Sequence, residues 1–96
     1  MRTIILTFMS NLGMGSQLLE IMRVGLVDTR IFKGNISARA YTSADNADEV
    51  ILFEEWDNAT SNLEYLKWRR DDGLSELLKL ILAGPINRLG LVSHFA

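Results

Sequence analysis

The chain contains no cysteine, a single histidine and a single proline among its 96 residues. Without cysteine it can form no disulfide bond, which is compatible with a reducing compartment. With only one imidazole and no thiolate, one chain cannot assemble the ligand set of a zinc or iron–sulfur site. We therefore expect no metal site within the chain.

An excess of positive charge and a long apolar run are also missing. Ten Lys and Arg residues stand against twelve Asp and Glu residues, giving a net charge of −2 and no basic footprint for nucleic acid. The apolar stretch from Ile4 to Met9 has no convincing signal-peptide cleavage site after it. It is also far shorter than the roughly 20 residues that cross a bilayer. We expect a cytoplasmic protein that partners neither nucleic acid nor a membrane.

Apolar residues, by contrast, are plentiful for a chain of this size. They make up 48% of the sequence, and the mean hydropathy is +0.11. The length allows one domain, spanning residues 1–96, and a domain this small buries only about two-thirds of its unfolded surface. The surplus of apolar surface favours self-association.

Hydrophobic periodicity predicts seven elements in the order β-α-β-β-α-α-β. Their expected bounds are Thr3–Met9, Ser16–Thr29, Ile36–Thr42, Glu49–Trp56, Ser61–Arg70, Leu74–Leu82 and Ile86–Phe95. Ser16, Asp57 or Asn58, and Asp72 are the expected helix caps, and Gly84 followed by Pro85 is the expected end of the last helix. Short connections and right-handed crossovers fold this order into an α+β, ferredoxin-like split βαβ domain. Its four-stranded antiparallel sheet carries the helices on one face.

The other face of that sheet needs a cover. The third strand is apolar on both sides, with Val50 and Leu52 on one side and Ile51 and Phe53 on the other. Strands that are apolar on both sides require burial on both sides, and the helices can cover only one. We therefore predict a homodimer in which a second copy packs sheet to sheet.

Several short motifs follow one another in a distinctive order and spacing along nearly the whole chain. They are the turn at Gly34, Tyr41 in the second strand, Glu54-Glu55-Trp56 at the end of the third, Leu63 with Tyr65-Leu66 in the next helix, and Leu80 to Pro85 before the last strand. In this order and spacing the motifs resemble the antibiotic biosynthesis monooxygenase domains of the dimeric α+β barrel superfamily.

The resemblance implies a cofactor-independent monooxygenase acting on a small aromatic or quinol-type compound. It also leaves open a non-catalytic dimeric module that binds a small apolar or aromatic ligand. Tyr65 occupies the helix position where many members carry histidine, and no histidine precedes His94 to match the iron ligand of the haem-degrading branch. Of the pocket residues of the aromatic-oxidising branch, Trp56 matches, whereas Leu52 and Asn62 replace the other two.

The residue types also define a candidate pocket between sheet and helices. No catalytic base can be assigned; Tyr65, Asn62 and His94 are the candidates. Glu54 and Glu55 point to opposite faces of their strand, so they form no carboxylate pair, and Arg39 is an expected ion-pair partner for one of them. An isomerase of a phosphorylated sugar is a third option, for which Arg39 is the evident anion-binding residue. The expected lining residues are Trp56, Tyr65, Tyr41, Asn62, Trp68 and Met22.

Overall fold

A computed structural model describes residues 1–95, which form seven elements in the predicted order. They are β1 (Arg2–Met9), α1 (Gly15–Ile31), β2 (Asn35–Ser43), β3 (Asn46–Trp56), α2 (Ala59–Arg70), α3 (Leu74–Lys79) and β4 (Asn87–Val92). The four strands form one sheet in the order β2-β3-β1-β4, and every neighbouring pair is antiparallel. The α+β, ferredoxin-like fold expected from the sequence is therefore confirmed. No helix among residues 1–95 combines the length and apolar character needed to cross a membrane.

The core lies between the sheet and the helices because apolar side chains alternate along the two central strands. Phe8 of β1 and Val50 and Leu52 of β3 are buried on the helix-facing side, where they pack with Leu18 and two further buried residues of α1. Ile4 of β1 is buried in a second cluster, with Trp56 and Tyr65. Burying a large apolar side chain contributes about 1.5–3 kcal/mol. This layer is therefore the main stabilising feature of the domain.

Helix α1 begins without the predicted Ser16 cap. Its free N–H groups are satisfied from the β2–β3 hairpin instead, since Asp48 accepts hydrogen bonds from the backbone N–H groups of Gly13 and Gly15, each at 2.9 Å. Gly15 lies so close to the backbone of Ala47 that a Cβ atom would overlap its carbonyl group. This long-range cap fixes the start of α1 against the hairpin.

The hairpin itself is tighter than the sequence indicated. The polar stretch expected as a six-residue connection is mostly strand, and only Ala44 and Asp45 form the turn. Ser43 Oγ accepts from the Asp45 N–H at 3.3 Å, and Asn46 Oδ1 accepts from the Asp48 N–H at 2.9 Å. These side chains stabilise the turn locally and let the ladder run to its end.

The second half of the chain departs most from prediction. Helix α3 ends at Lys79 rather than Leu82, because the following residues pair with the end of β1 through Asn11 N–H to the Ile81 carbonyl (2.7 Å) and Ala83 N–H to the Met9 carbonyl (2.8 Å). Gly84 does not adopt positive φ. The last strand ends at Val92, and Ser93–Phe95 lie beyond it.

The spacing of Leu63, Leu66 and Tyr65 in the sequence predicts an apolar inner stripe for helix α2, but the helix is rotated so that Leu63 lies outside. Its buried residues are Asn62 and Tyr65, whereas Leu63 is more than half exposed. Asn58 provides the N-cap, accepting from the Ser61 N–H at 2.9 Å. This rotation brings polar groups, rather than leucines, over the centre of the sheet.

Candidate functional site

A cavity of about 440 Å³ lies between the helix-facing side of the sheet and helices α2 and α3. This size is within the range of small-molecule sites, about 300–1,000 Å³. Most of its wall is apolar, and polar groups are confined to a few positions. The lining residues are Ile4, Leu6, Phe8, Met22, Leu52, Glu54, Asn62, Tyr65, Leu66, Arg69, Arg70, Leu74, Ser75, Leu78, Ile86 and Arg88.

Glu54 is the acidic residue of this lining, and it is only 2% exposed. It faces the cavity because it has the same parity along β3 as the buried residues Val50, Leu52 and Trp56. Burial raises the pKa of the Glu54 carboxyl, which outweighs the opposing effects of the Trp56 hydrogen bond and of the positive charges on Arg69 and Arg88. The result is a buried carboxyl group that holds a proton more readily than an exposed one does.

Trp56 holds this carboxyl in place. The indole Nε1–H of Trp56 donates to Glu54 Oε1 at 3.1 Å, and the indole is fully buried. The ring of Trp56 also packs against that of Tyr65, with centroids 4.9 Å apart. Trp56 therefore lies behind the cavity wall and positions Glu54, instead of presenting its own ring to the cavity.

Asn62 and Arg88 form a second polar contact in the cavity wall. Asn62 is 3% exposed, and its Oδ1 accepts a hydrogen bond from Nη2 of Arg88 at 2.9 Å. Arg88 points to the helix side of the sheet because it pairs with the cavity-lining residue Leu6 of β1, whereas the next residue, Leu89, points to the other face. The amide and the guanidinium thus meet across the space between α2 and the edge strand.

Tyr65 belongs to a hydrogen-bond network that joins α1 to α2. Its hydroxyl lies 2.7 Å from Thr29 Oγ1 and accepts from Arg69 Nε at 2.9 Å. Arg69 also donates to the Gly25 carbonyl at 2.6 Å and to Asp72 at 2.5 Å. Burial raises the pKa of the Tyr65 hydroxyl. This hydroxyl is therefore a fixed structural group and a poor proton acceptor at neutral pH.

The structure places the six expected lining residues in different surroundings. Met22, Asn62 and Tyr65 line the cavity, and Trp56 lies behind its wall. Trp68 is 41% exposed and packs against Phe32, since it lies on the outer side of α2. Tyr41 lies on the opposite face of the sheet, paired with Ile51. Tyr41 therefore differs from the expectation because its position in β2 points it to the other face of the sheet. Trp68 differs because it lies on the side of α2 that faces away from the cavity.

Two further candidate residues also lie away from the cavity. His94 follows the end of β4 and packs beside Phe95, with ring centroids 6.4 Å apart. Arg39 is on the opposite face of the sheet, 3.8 Å from Glu55 Oε1. The expected Arg39–carboxylate pair is present, and it lies on the face of the sheet away from the cavity.

Glu54, Arg69, Arg70 and Arg88 were not singled out from the sequence as site residues. The sequence does contain a signal for Glu54 and Arg88. Alternation along the strands places Glu54 on the same face as Leu52 and Trp56, and Arg88 on the face opposite to that of Leu89. The arginines of α2 carried no such signal, since the helix is rotated from its apparent apolar stripe. Among residues 1–95, no cluster of three or more histidine or carboxylate side chains is arranged to hold a metal ion.

A second concavity of about 450 Å³ lies between α1 and the α2–α3 connection. Its acidic residues include Glu20 and Asp28, which are both exposed. It presents no buried titratable side chain comparable to Glu54. The cavity around Glu54 is therefore the candidate functional site.

Several solved structures have the same fold as this chain over nearly its whole length. A Nitrosomonas europaea structure named as a candidate antibiotic biosynthesis monooxygenase superimposes with a TM-score of 0.89 at 14% identity, covering 99% of this chain and 100% of that one. The Mycobacterium tuberculosis protein Rv0793 gives 0.87 at 22% identity, covering 99% and 96%. A crystal structure of an antibiotic biosynthesis monooxygenase gives 0.87 at 12% identity, covering 98% and 99%.

At these identities the likeness shows the fold. No family model matches the chain, and neither does any functionally curated protein. The resemblance drawn from the sequence motifs is thus confirmed as an antibiotic biosynthesis monooxygenase-like fold. The chemistry has to be inferred from the cavity itself.

Proposed function

We propose that this protein is a cofactor-independent monooxygenase that oxidises a small aromatic or quinol-type compound in the cavity around Glu54. The observation that carries the proposal is a buried carboxyl group, with its pKa raised by burial, facing an otherwise largely apolar cavity. Such a group can take a proton from a bound phenolic hydroxyl. The monooxygenase fold of the similar structures supports the same reaction class.

The reaction needs no cofactor if the substrate supplies all the electrons. Ground-state O₂ is a triplet and reacts slowly with neutral singlet molecules, but a quinol anion can transfer one electron at a time. Quinol and O₂ then give a hydroxyquinone and water. One oxygen atom forms the new C–O bond, the O–O bond breaks, the second oxygen leaves in water, and the four electrons come from the quinol.

Residues of the cavity have separate roles in this scheme. Glu54 accepts the hydroxyl proton and can return it to the departing oxygen. Leu6, Phe8 and other apolar side chains exclude water from the radical pair. Trp56 acts as a positioning residue through its hydrogen bond to Glu54.

We further propose that the working form is a homodimer. Within residues 1–95, no helix packs on the second face of the sheet. The apolar side chains on this face are Ile5, Ile51, Phe53, Leu89 and Leu91. Leu89 and Leu91 are 55% and 40% exposed, and every residue of β4 is exposed. A second copy packed sheet to sheet would cover these side chains. Sedimentation should therefore give twice the monomer mass, and a lone subunit at micromolar concentration would refute this part.

Oxygen uptake with 1,4-dihydroxynaphthalene tests the enzymatic proposal. The wild-type protein should accelerate uptake above the background autoxidation rate, and Glu54→Gln should lose about 10²-fold or more because a positioned general base contributes about that much. Glu55→Gln is the matched control, since Glu55 lies on the opposite face of the same strand and accepts from Ser37 at 2.7 Å. Equal uptake by wild type and Glu54→Gln would remove Glu54 from the mechanism.

A non-catalytic ligand-binding module is the second candidate function. One observation favours it: the hydroxyl of Tyr65 and the amide oxygen of Asn62 are already hydrogen-bonded within the chain. Fewer polar groups are then free to act on a substrate. Stoichiometric binding of a quinol without oxygen uptake above background would support this module in place of the enzyme.

A further inference from the structure

Arginine side chains gather around the candidate cavity to an extent that the proposed reaction does not require. Arg69, Arg70 and Arg88 all line it, whereas Glu54 is the acidic side chain of its lining. The whole chain has a net charge of −2, so the cavity is a positive region on a negative protein. A cleft with low-dielectric walls concentrates such a field and attracts ligands of opposite charge.

The three arginines differ in how far they are committed to partners. Arg69 is bound to Asp72 at 2.5 Å and to the Tyr65 network, so its charge is largely neutralised locally. Arg88 donates to the neutral amide of Asn62, and no ion pair of Arg70 or Arg88 is found among residues 1–95. Two guanidinium groups therefore remain without a carboxylate partner at the cavity.

Arg70 and Arg88 are exposed whereas Glu54 is buried, so the cavity has a solvent-exposed part and a buried part. Arg70, Arg88 and Ile86 are among the lining residues of α2 and of the β4 region that are exposed, so the cavity opens to solvent where they lie. Glu54 is buried at its inner end. A ligand that enters with a hydroxyl group toward Glu54 would leave its opposite end near the two arginines.

From this arrangement we propose that the natural ligand of the cavity is an aromatic compound that carries an anionic substituent, held by Arg88 and Arg70, at the end opposite its hydroxyl group. The proposal rests on the proposed function only in taking this cavity as the substrate site. Guanidinium groups bind carboxylates in a bidentate manner and are more weakly hydrated than ammonium groups, which suits them to this task.

Calorimetric titration with paired ligands tests this inference without requiring turnover. The pair is 6-hydroxy-2-naphthoate and 2-naphthol, which share the fused rings and the hydroxyl but differ in the carboxylate. At pH 7 the carboxylate should bind about tenfold tighter, as expected for one charge-assisted hydrogen-bonded contact. Its advantage should shrink at high salt because exposed charges are screened. Equal dissociation constants for the two ligands would overturn the inference.

Substitutions identify the arginines responsible. Arg88→Gln and Arg70→Gln should each weaken binding of the carboxylate several-fold while leaving 2-naphthol within about twofold. Arg23→Gln is the control, because Arg23 lies on the exposed surface of α1, paired with Glu20, and its loss changes the net charge equally. Thermal unfolding of each variant establishes that it is folded. An unchanged preference for the carboxylate in the double variant Arg70→Gln/Arg88→Gln would also overturn the inference.

The identity of the anion can be resolved in the same experiment. A third ligand, 6-hydroxynaphthalene-2-sulfonate, offers a tetrahedral oxyanion in place of the planar carboxylate. Tighter binding of either anion than of 2-naphthol supports an anionic substituent, and their order indicates its geometry. Failure of the proposed function is separable from failure of this inference. Oxygen uptake with neutral quinols but no anion preference removes the inference alone, whereas anion preference without any oxygen uptake removes the oxygenase alone.

Discussion

Replacing Glu54 by glutamine should change how stability depends on pH. Glu54 is 2% exposed, and burial raises its pKa above the ordinary value of 4.5. Glutamine keeps the side-chain oxygen that accepts from the Trp56 indole but cannot ionise. The variant thus removes the titration of Glu54 and preserves its shape and its 3.1 Å hydrogen bond.

The sign and size of the effect follow from proton linkage. Between pH 4.5 and the higher pKa of the folded protein, the folded state holds a proton on Glu54 that the unfolded state has released. The stability contributed by Glu54 is therefore fully present below pH 4.5 and is lost as the pH rises through the folded-state pKa. Within that window, the free energy of unfolding of the wild type should fall by about 1.4 kcal/mol per pH unit relative to Glu54→Gln.

Urea unfolding of both proteins at pH 4 to 8, at one fixed protein concentration, measures this difference. The contributions of most other titrating groups to the pH dependence of the free energy of unfolding are the same in both proteins, so they cancel in the difference. Glu55→Gln serves as the control, since it replaces a carboxyl of the same strand that lies outside the cavity and is bonded to Ser37. A wild type that gains stability over Glu54→Gln as the pH rises, or a difference independent of pH, would refute the assignment of Glu54 as a buried carboxyl.

Three other substitutions test the packing around the site. Tyr65→Phe removes a buried hydroxyl with two hydrogen-bond partners, one of them charged, and should destabilise the protein by about 1.5–3 kcal/mol in urea unfolding; Tyr41→Phe, on the exposed side of the sheet, should change it by less than about 0.5 kcal/mol. Gly15→Ala forces a Cβ into the Ala47 carbonyl and should lower the melting temperature sharply, whereas Gly84→Ala, with open space around it, should not; equal melting temperatures would contradict the close approach. Asn58→Ala removes the cap of α2 and should cost about 1 kcal/mol by the same unfolding assay, and no loss would mean that the cap is not formed.

The first half of the fold follows from the sequence because local pattern and tertiary environment agree there. The short apolar runs of β1 and β3 and the leucine and methionine spacing of α1 each match the element formed. The topology then follows from the element order and the crossover rules. The dimer predicted from the same two-sided strands stays a prediction, since the structure holds one chain.

The site was harder to predict because its residues violate the local patterns. Helix α2 buries Asn62 and Tyr65 and exposes Leu63, since its inner side faces a cavity with a few polar groups instead of a closed core. The α1 cap is supplied by Asp48, which is 33 residues away from Gly15 in the chain. Neither relation leaves a periodic trace in the sequence. Such conflicts between local rule and observed structure are expected where a fold is adapted to bind a ligand.

Isotope labelling of the product tests the central claim most directly. The protein is incubated with 1,4-dihydroxynaphthalene under ¹⁸O₂, and the product is analysed by mass spectrometry with the non-enzymatic reaction as blank. We predict a hydroxynaphthoquinone in which the new oxygen comes from O₂, formed well above the blank and lost in Glu54→Gln. A product formed at the blank rate, or unlabelled quinone accompanied by hydrogen peroxide, would contradict a monooxygenase in this cavity.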